Sequence, residues 1–253
     1  MLAKILANWS GIVARASTEQ TVIFPKPSIF IKGNVYNLKM LDSKVIYKLL
    51  IQDIISLPKG LIRWCEELEL SDKQINCAFS FAADCTPNIF RRVFQYKINT
   101  NILPTSLYLF RYKVLDSDTC GKCQVETGTI IHSLWECEKV YPLIDAFLSL
   151  IKRECHINFK IEMIDYLFGI DIINEFSLGL NHCLLELKIF TFYNSGEGDD
   201  IKNLLPSFIK ILGRLMVKEK NLAIQMNKYD EFACKWHSFS GLYDFRGPDI
   251  DFI

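Results

Sequence analysis

The sequence predicts a mainly α-helical array with a small N-terminal β-hairpin and an inserted Cys-Cys-His-Cys knuckle. Three observations support this fold class. Apolar residues recur at helical spacing along most of the chain from Ser43 onward. Alternating apolar residues with turn residues occur in one short stretch, residues 21–38. The segment CGKCQVETGTIIHSLWEC sets three cysteines and one histidine at a spacing typical of metal ligands.

The predicted hairpin lies within residues 21–38. Ile29, Ile31 and Val35 flank the pair Gly33-Asn34, which follows prolines at positions 25 and 27. Such a pair between alternating apolar residues is typical of a tight hairpin turn. One short hairpin is therefore expected before the helical part of the chain.

The helical pattern begins at Ser43, with Val45, Ile46, Leu49 and Leu50 on one face. Ser71-Asp72 is predicted to cap a helix, and Thr86-Pro87 to begin the next one, since proline is favoured in a first helical turn. Further helices are predicted from Pro104 to Tyr112 and over residues 161–168, 176–193, 204–217 and 219–239.

Composition narrows the function classes. The chain has 253 residues, of which 50% are hydrophobic, so it can bury a sizeable core. Lys plus Arg and Asp plus Glu number 29 each, so any nucleic-acid binding has to come from a local patch. No apolar run is long enough to span a membrane, and polar residues interrupt the only stretch resembling a signal peptide, residues 1–17.

Nine cysteines without a regular framework favour reduced thiols in a reducing compartment. We therefore expect an intracellular protein of the cytoplasm, the nucleus or both, which is neither secreted nor bound to a membrane. Four segments are predicted along the chain. They are an N-terminal segment with the hairpin (1–40), a helical linker region (41–115), the knuckle with its following helix (116–150) and a C-terminal helical region (151–253).

The predicted metal ligands are Cys120, Cys123, His132 and Cys137, at the spacing Cys-x2-Cys-x8-His-x4-Cys. Four soft donors without a carboxylate suit tetrahedral Zn²⁺. Gly121 suits a tight turn between the first two ligands, and the last two are predicted to start a helix. A site with four protein ligands has no open position for water, so the predicted zinc is structural. The alternative is four unrelated residues in a cysteine-rich chain.

A basic stretch precedes the knuckle and overlaps its start. It contains six cations against Asp116 and Asp118, and aromatic residues are interleaved with it. Cations contact phosphates and aromatic rings stack on unpaired bases, so the stretch indicates binding of RNA or single-stranded DNA. The alternative is that the aromatic residues are core and the charges a solvated face. The candidate contacts are Arg91, Arg92, Lys97, Arg111, Lys113 and Lys122; the aromatic residues are Phe94, Tyr96, Tyr108, Phe110 and Tyr112. Trp135 either packs on the knuckle or stacks on a base.

Catalytic arrangements are not evident in the sequence. The segment FAADC supplies only Asp84, where polymerases need two adjacent carboxylates for divalent metals. Asp199-Asp200 supplies a pair, but it precedes a predicted helix and fits a capping role better. The remaining histidines have no neighbouring Ser or Cys pattern that indicates a nucleophile. We therefore expect a chain that is not an enzyme.

The run FRRVFQYKINTNILPTSLYLFRYKVLDSDTCGKCQVETGTIIHSLWEC resembles the zinc-binding segment C-terminal to the reverse transcriptase domain of LINE-type, non-LTR retrotransposons. The family pattern is an Arg-x-x-Phe-Gln-Tyr-Lys helix, a Leu-Pro-Thr turn, a ligand-bearing loop and Glu-Thr-x-x-His-x-x-x-x-Cys. Both Arg91 and Arg92 stand near the arginine position, and which of them matters is open. The other matching positions are Phe94 to Lys97, Leu103 to Thr105, Cys120, Cys123, Glu126, Thr127, His132 and Cys137.

Weaker similarity extends over about residues 40–240, and neither the endonuclease nor the polymerase palm has a counterpart in the sequence. The resemblance implies a non-catalytic C-terminal piece that helps to hold RNA or single-stranded DNA. A second reading is a helical scaffold that docks onto other reverse transcriptase domains or another protein, with a purely structural zinc. A decayed copy of an element is compatible with both readings.

Overall fold

The computed structural model describes residues 28–31, 34–37, 42–45, 47, 57–171, 175–194, 201–244 and 251–252. The chain divides into two units, Met1–Ser56 and Leu57–Ile253. The predicted helix face at Ile46, Leu49 and Leu50 and the predicted cap at Asp199-Asp200 lie outside the described residues.

In the first unit, two short strands pair antiparallel. They are β1 (Ser28–Ile31) and β2 (Asn34–Asn37), and Ile31 lies opposite Asn34. Their connection, residues 32–33, lies outside the described residues, so the hairpin as a whole stays a prediction. Residues 43–45 are helical, and the Asp42 carboxylate accepts a hydrogen bond from the Val45 N–H at 2.7 Å.

The second unit is mainly helical, as the sequence predicts. The helices are α1 (Lys59–Leu68), α2 (Asp72–Cys85), α3 (Ile89–Asn99), α4 (Ser106–Arg111), α5 (Tyr141–Glu154), α6 (Met163–Phe168), α7 (Glu175–Asn194), α8 (Ile201–Gln225) and α9 (Tyr229–Trp236). Two short strands, β3 (Tyr243–Asp244) and β4 (Asp251–Phe252), pair antiparallel after them. None of the helices in the described ranges is both long and apolar enough to cross a membrane.

Side-chain caps fix several helix starts. Ser71 and Gln74 form a capping box at α2, where Ser71 Oγ accepts from the Gln74 N–H and Gln74 Oε1 accepts from the Ser71 N–H. This confirms the predicted cap. Helix α3 begins at Ile89, two residues beyond the predicted Pro87, because the Asn88 side chain accepts from the N–H groups of Phe90 and Arg91.

Helix α8 runs without a break through residue 218, where the sequence pattern predicts two separate helices. Nothing at Lys218-Glu219 interrupts the backbone, and the helix ends at Gln225, just before Asn227, whose φ of +55° lies in the left-handed region. Asparagine is one of the few residues that adopts this region at small cost. The boundary between α8 and α9 therefore follows a backbone feature that hydrophobic spacing does not report.

Helix α7 forms the centre of the core. It contacts α2, α3, α8 and α9, and residues on all its sides are buried, including Leu180, Leu184 and Leu187. Each large apolar side chain buried here stabilises the fold by about 1.5–3 kcal/mol. The same core includes Trp64 and Cys120, so residues from the last three predicted segments pack together. The proposed boundaries at residues 40, 115 and 150 stay predictions.

Candidate metal centre

Four predicted ligands come together at one point. One ligand atom from each of Cys120, Cys123, His132 and Cys137 lies within 4.8 Å of the others. The Sγ atoms of Cys120 and Cys137 are 4.0 Å apart, and Cys123 Sγ is 3.3 Å from His132 Nε2. A tetrahedral zinc ion separates two sulfur ligands by about 3.8 Å and a sulfur from a nitrogen by about 3.5 Å. The four side chains are therefore arranged to hold one metal ion.

The first two ligands lie on a short loop closed by backbone hydrogen bonds. The Cys120 N–H donates to the Glu126 carbonyl at 2.7 Å, and the Gly128 N–H donates to the Asp118 carbonyl at 2.8 Å. The sharp turn inside the loop occurs at Gln124, whose φ is +58°, and its N–H donates to the Cys120 carbonyl. Gly121, which the sequence suggests for a tight turn, does not have a left-handed backbone.

Gly128 is the glycine on which the packing of this loop depends. A β-carbon at this position would lie 2.8 Å from Ser106 Cβ and 3.2 Å from Cys120 Cα. The Gly128 carbonyl also accepts from the Leu107 N–H at 3.1 Å, so the loop packs directly on the start of α4. Sequence spacing carries no signal for this packing, because it depends on α4 folding back over the loop.

The last two ligands lie at the two ends of a π-helical turn, His132–Glu136. The Cys137 N–H donates to the His132 carbonyl at 2.8 Å, which is the i to i+5 bond of such a turn. In an α-helix, residues five apart are separated by about 140° around the axis, so both side chains could not face one ion as readily. The predicted helix from these ligands instead begins at Tyr141, as α5.

Burial and hydrogen bonding act in opposite directions on the thiols. Burial disfavours ionisation of Cys123, but N–H groups of Glu126 and Val125 and the contact with His132 lower its pKa from 9.0 to about 6. Burial raises the pKa of the Cys137 thiol to about 12. A metal ion bound to Cys137 would instead lower the pKa of its thiol, because coordination deprotonates a thiol outright.

Lys122 ties the metal loop to the core. Its Nζ donates to the Ser133 carbonyl at 2.9 Å and to the Thr191 carbonyl of α7 at 2.7 Å. Burial lowers its pKa from 10.5 to about 8. Trp135, within the π turn, packs against Tyr166 and Tyr141 with ring centroids 5.1 and 5.5 Å away. Lys122 and Trp135 therefore both contact other residues of the protein.

The other predicted nucleic-acid contacts divide into two groups. Arg91 donates through Nε and Nη2 to both carboxylate oxygens of the buried Glu186, and Arg92 donates to the carbonyls of Thr86 and Ala83. Arg111 and Lys113 are exposed at the end of α4, and Lys97 is half-buried. The structure therefore does not bring the six candidates onto one free surface.

The interleaved aromatic residues divide in the same way. Phe94 is buried and contacts Phe192, with ring centroids 5.6 Å apart, so it belongs to the core. Tyr96, Phe110 and Tyr112 are exposed, and Tyr108 lies 4.7 Å from Tyr112 between ring centroids. Phe94 thus fits the reading of the aromatic residues as core, whereas base stacking by the exposed rings stays a prediction. No protein-family model matches the chain, and no curated protein matches it either, so the retrotransposon resemblance stays a prediction.

Proposed function

We propose that Cys120, Cys123, His132 and Cys137 bind one Zn²⁺ ion with a structural role. Three sulfurs and one imidazole nitrogen form a donor set that favours zinc over the harder cations magnesium and calcium. Four protein ligands complete a tetrahedral shell, so the ion has no open position at which to activate water. The metal would hold the loop at residues 118–128 against the π turn.

Around this site, we propose a non-catalytic module that binds RNA or single-stranded DNA. The observation that carries the proposal is the exposed group Arg111, Tyr112 and Lys113, which closely precedes the metal loop. Tyr112 is 65% exposed, so its ring is free to stack on a base beside two cations that can contact phosphates. The resemblance to the C-terminal region of LINE reverse transcriptases supports the same activity.

Salt-dependent binding of the full chain tests this function. Fluorescence anisotropy with labelled single-stranded RNA and DNA should give an affinity that falls as salt rises. Arg111→Gln with Lys113→Gln should reduce the slope of log affinity against log salt by about 0.7 for each phosphate that is no longer neutralised. Lys210→Gln with Arg214→Gln, on exposed positions of α8, is the matched control. An affinity that changes neither with salt nor with the Arg111 and Lys113 substitutions would refute the proposed function.

A protein-interaction scaffold is the second candidate. The outer face of α3 carries the exposed apolar residues Ile89, Phe90 and Val93, and Phe90 is 82% exposed. Such a face suits an apolar partner surface, including another reverse transcriptase domain. Absence of nucleic-acid binding by the folded, metal-loaded chain would favour this candidate over the first.

A further inference from the structure

A cleft with a volume of about 750 Å³ lies beside the metal loop. Its walls are α1, the turn at residues 100–105, α4 and residues 129–131, just before His132. The cleft therefore lies between the exposed end of α4 and α1, a helix for which the sequence predicts no role in binding. Its size is sufficient for part of a nucleotide strand.

The charge of the cleft is predominantly positive. Lys59 and Arg63 contribute from α1 and Arg111 from α4, against one carboxylate, Glu67. All three cations are exposed, and within the described ranges none of them forms an ion pair. They contrast with Arg91, Arg92 and Lys122, whose nitrogens are held by protein oxygens. Cations from two facing elements suit an extended polyanion better than a single surface lysine does.

The walls of the cleft are held in place by close packing. A β-carbon at Gly60 would overlap the Thr100 carbonyl, so α1 lies directly against the turn that follows α3. Trp64, buried on the same helix, donates from Nε1 to the Ile98 carbonyl at 2.9 Å. The cations are thus carried by elements whose positions are fixed before any ligand arrives, which reduces the entropic cost of binding.

An aromatic pair lines the same cleft. The rings of Tyr108 and Tyr112 have centroids 4.7 Å apart at an interplanar angle of 38°, and Tyr112 is largely exposed. The Tyr108 ring supports the Tyr112 ring from one side and leaves much of it open to a ligand. Stacking of a base on such a ring contributes about 1–3 kcal/mol and tolerates any base.

We propose that this cleft is the binding site for a single nucleic-acid strand, with its phosphates on Lys59, Arg63 and Arg111 and one base stacked on Tyr112. The proposal rests on the function proposed above and adds Lys59, Arg63 and the supporting Tyr108 to it. It also gives a reason for the metal site beside the cleft, because the ligand-bearing loop packs on the start of α4 through Gly128.

Substitutions on the α1 wall separate this site from the general function. The measurement is fluorescence anisotropy of the full chain with a labelled 12-nucleotide RNA and the matching DNA. Lys59→Gln with Arg63→Gln should weaken binding about tenfold or more at about 0.1 M salt and reduce the salt slope by about 1.4. Both positions are exposed, so circular dichroism should show an unchanged fold. Lys210→Gln with Arg214→Gln, which removes the same charge from α8, should change affinity less than about twofold.

The aromatic contact has its own test. Tyr112→Ala should weaken binding about fivefold or more without changing the salt slope, whereas Tyr193→Ala, at another exposed tyrosine, should have little effect. If the native chain binds but the Lys59 and Arg63 changes act no more strongly than the α8 control, the cleft is refuted and the general function stands. If the native chain binds neither strand, both fail. Inorganic phosphate that displaced the labelled strand as effectively as the unlabelled strand does would also refute a strand site. Such a result would indicate a site for small anions.

Discussion

Replacing Arg91 by alanine should destabilise the fold, although the sequence marks Arg91 as a nucleic-acid contact. Its guanidinium donates to both oxygens of Glu186, whose side chain is only 4% exposed. The two residues are separated by 95 positions in sequence, so the pair joins α3 to the central helix α7. Alanine would remove the cation and leave the carboxylate inside the core.

The expected loss follows from the cost of an unpaired buried charge. Removing one partner of a buried ion pair costs about 3–5 kcal/mol, mostly because the other charge stays desolvated. Arg91 is itself 24% exposed, so water can reach part of the site in the variant. We therefore expect the lower end, about 3 kcal/mol of unfolding free energy. Arg91→Ala with Glu186→Gln should recover part of that loss, since it removes the orphaned charge.

The stability loss caused by Arg91→Ala should also depend on pH. Burial raises the pKa of Glu186, but the His182 ring, whose Nε2 lies 3.6 Å away, and the hydrogen bonds from Arg91 outweigh it and hold the pKa below 4.5. The native pair therefore stabilises the fold above the unfolded pKa, and this contribution is lost as pH falls through the folded pKa. Without Arg91, burial should raise the folded pKa instead. The loss of unfolding free energy in Arg91→Ala, relative to the native chain, should then be smaller at about pH 5.5 than at about pH 8.

Urea unfolding followed by circular dichroism at both pH values measures these effects. Lys97→Ala, which removes a cation from the same helix, is the control and should cost less than about 1 kcal/mol. A variant as stable as the native chain at the higher pH, with a specific loss of nucleic-acid affinity, would show that Arg91 is a ligand contact and that the buried pair is not formed.

Two further substitutions test the metal loop. Gly128→Ala should lower metal affinity about tenfold or more, because its β-carbon would meet Ser106 and the Cys120 backbone, whereas Gly121→Ala meets only Ser106 Oγ at 3.9 Å and should be nearly neutral. Competition with a chromophoric chelator measures both, and equal behaviour of the two variants would contradict the packing. Lys122→Met should destabilise the chain by about 1–3 kcal/mol and raise amide exchange at residues 118–128, since two carbonyls lose their donor. Lys139→Met, at an exposed lysine, is the control; unchanged exchange in Lys122→Met would mean that the lysine does not hold the loop.

The features that the sequence predicts correctly depend on local spacing. Helical periodicity identifies most helices of the second unit, and the capping box at Ser71 is readable from four consecutive residues. The four metal ligands lie within 18 consecutive residues, so their spacing is sufficient to predict that they meet. The hydrogen-bonded loop and the π turn bring the four side chains to one point, which a regular helix would not do.

The features that the sequence does not reveal depend on distant contacts. The partner of Arg91 is 95 positions away and that of Lys122 is 69 positions away, so neither is visible in a local charge pattern. The need for glycine at position 128 arises only because α4 packs on the loop. Lys59 and Arg63 are not candidates from the sequence for the same reason, since the cleft forms only when α1 and α4 face one another.

Metal content of the purified chain is the most direct test of the central claim that Cys120, Cys123, His132 and Cys137 hold one zinc ion. Mass spectrometry of the metal should give about one zinc per native chain. Cys137→Ser should lose most of it, while Cys155→Ser, at a half-buried cysteine outside the cluster, should keep it. No metal in the native chain, or the same amount in the native and Cys137→Ser chains, would contradict the claim.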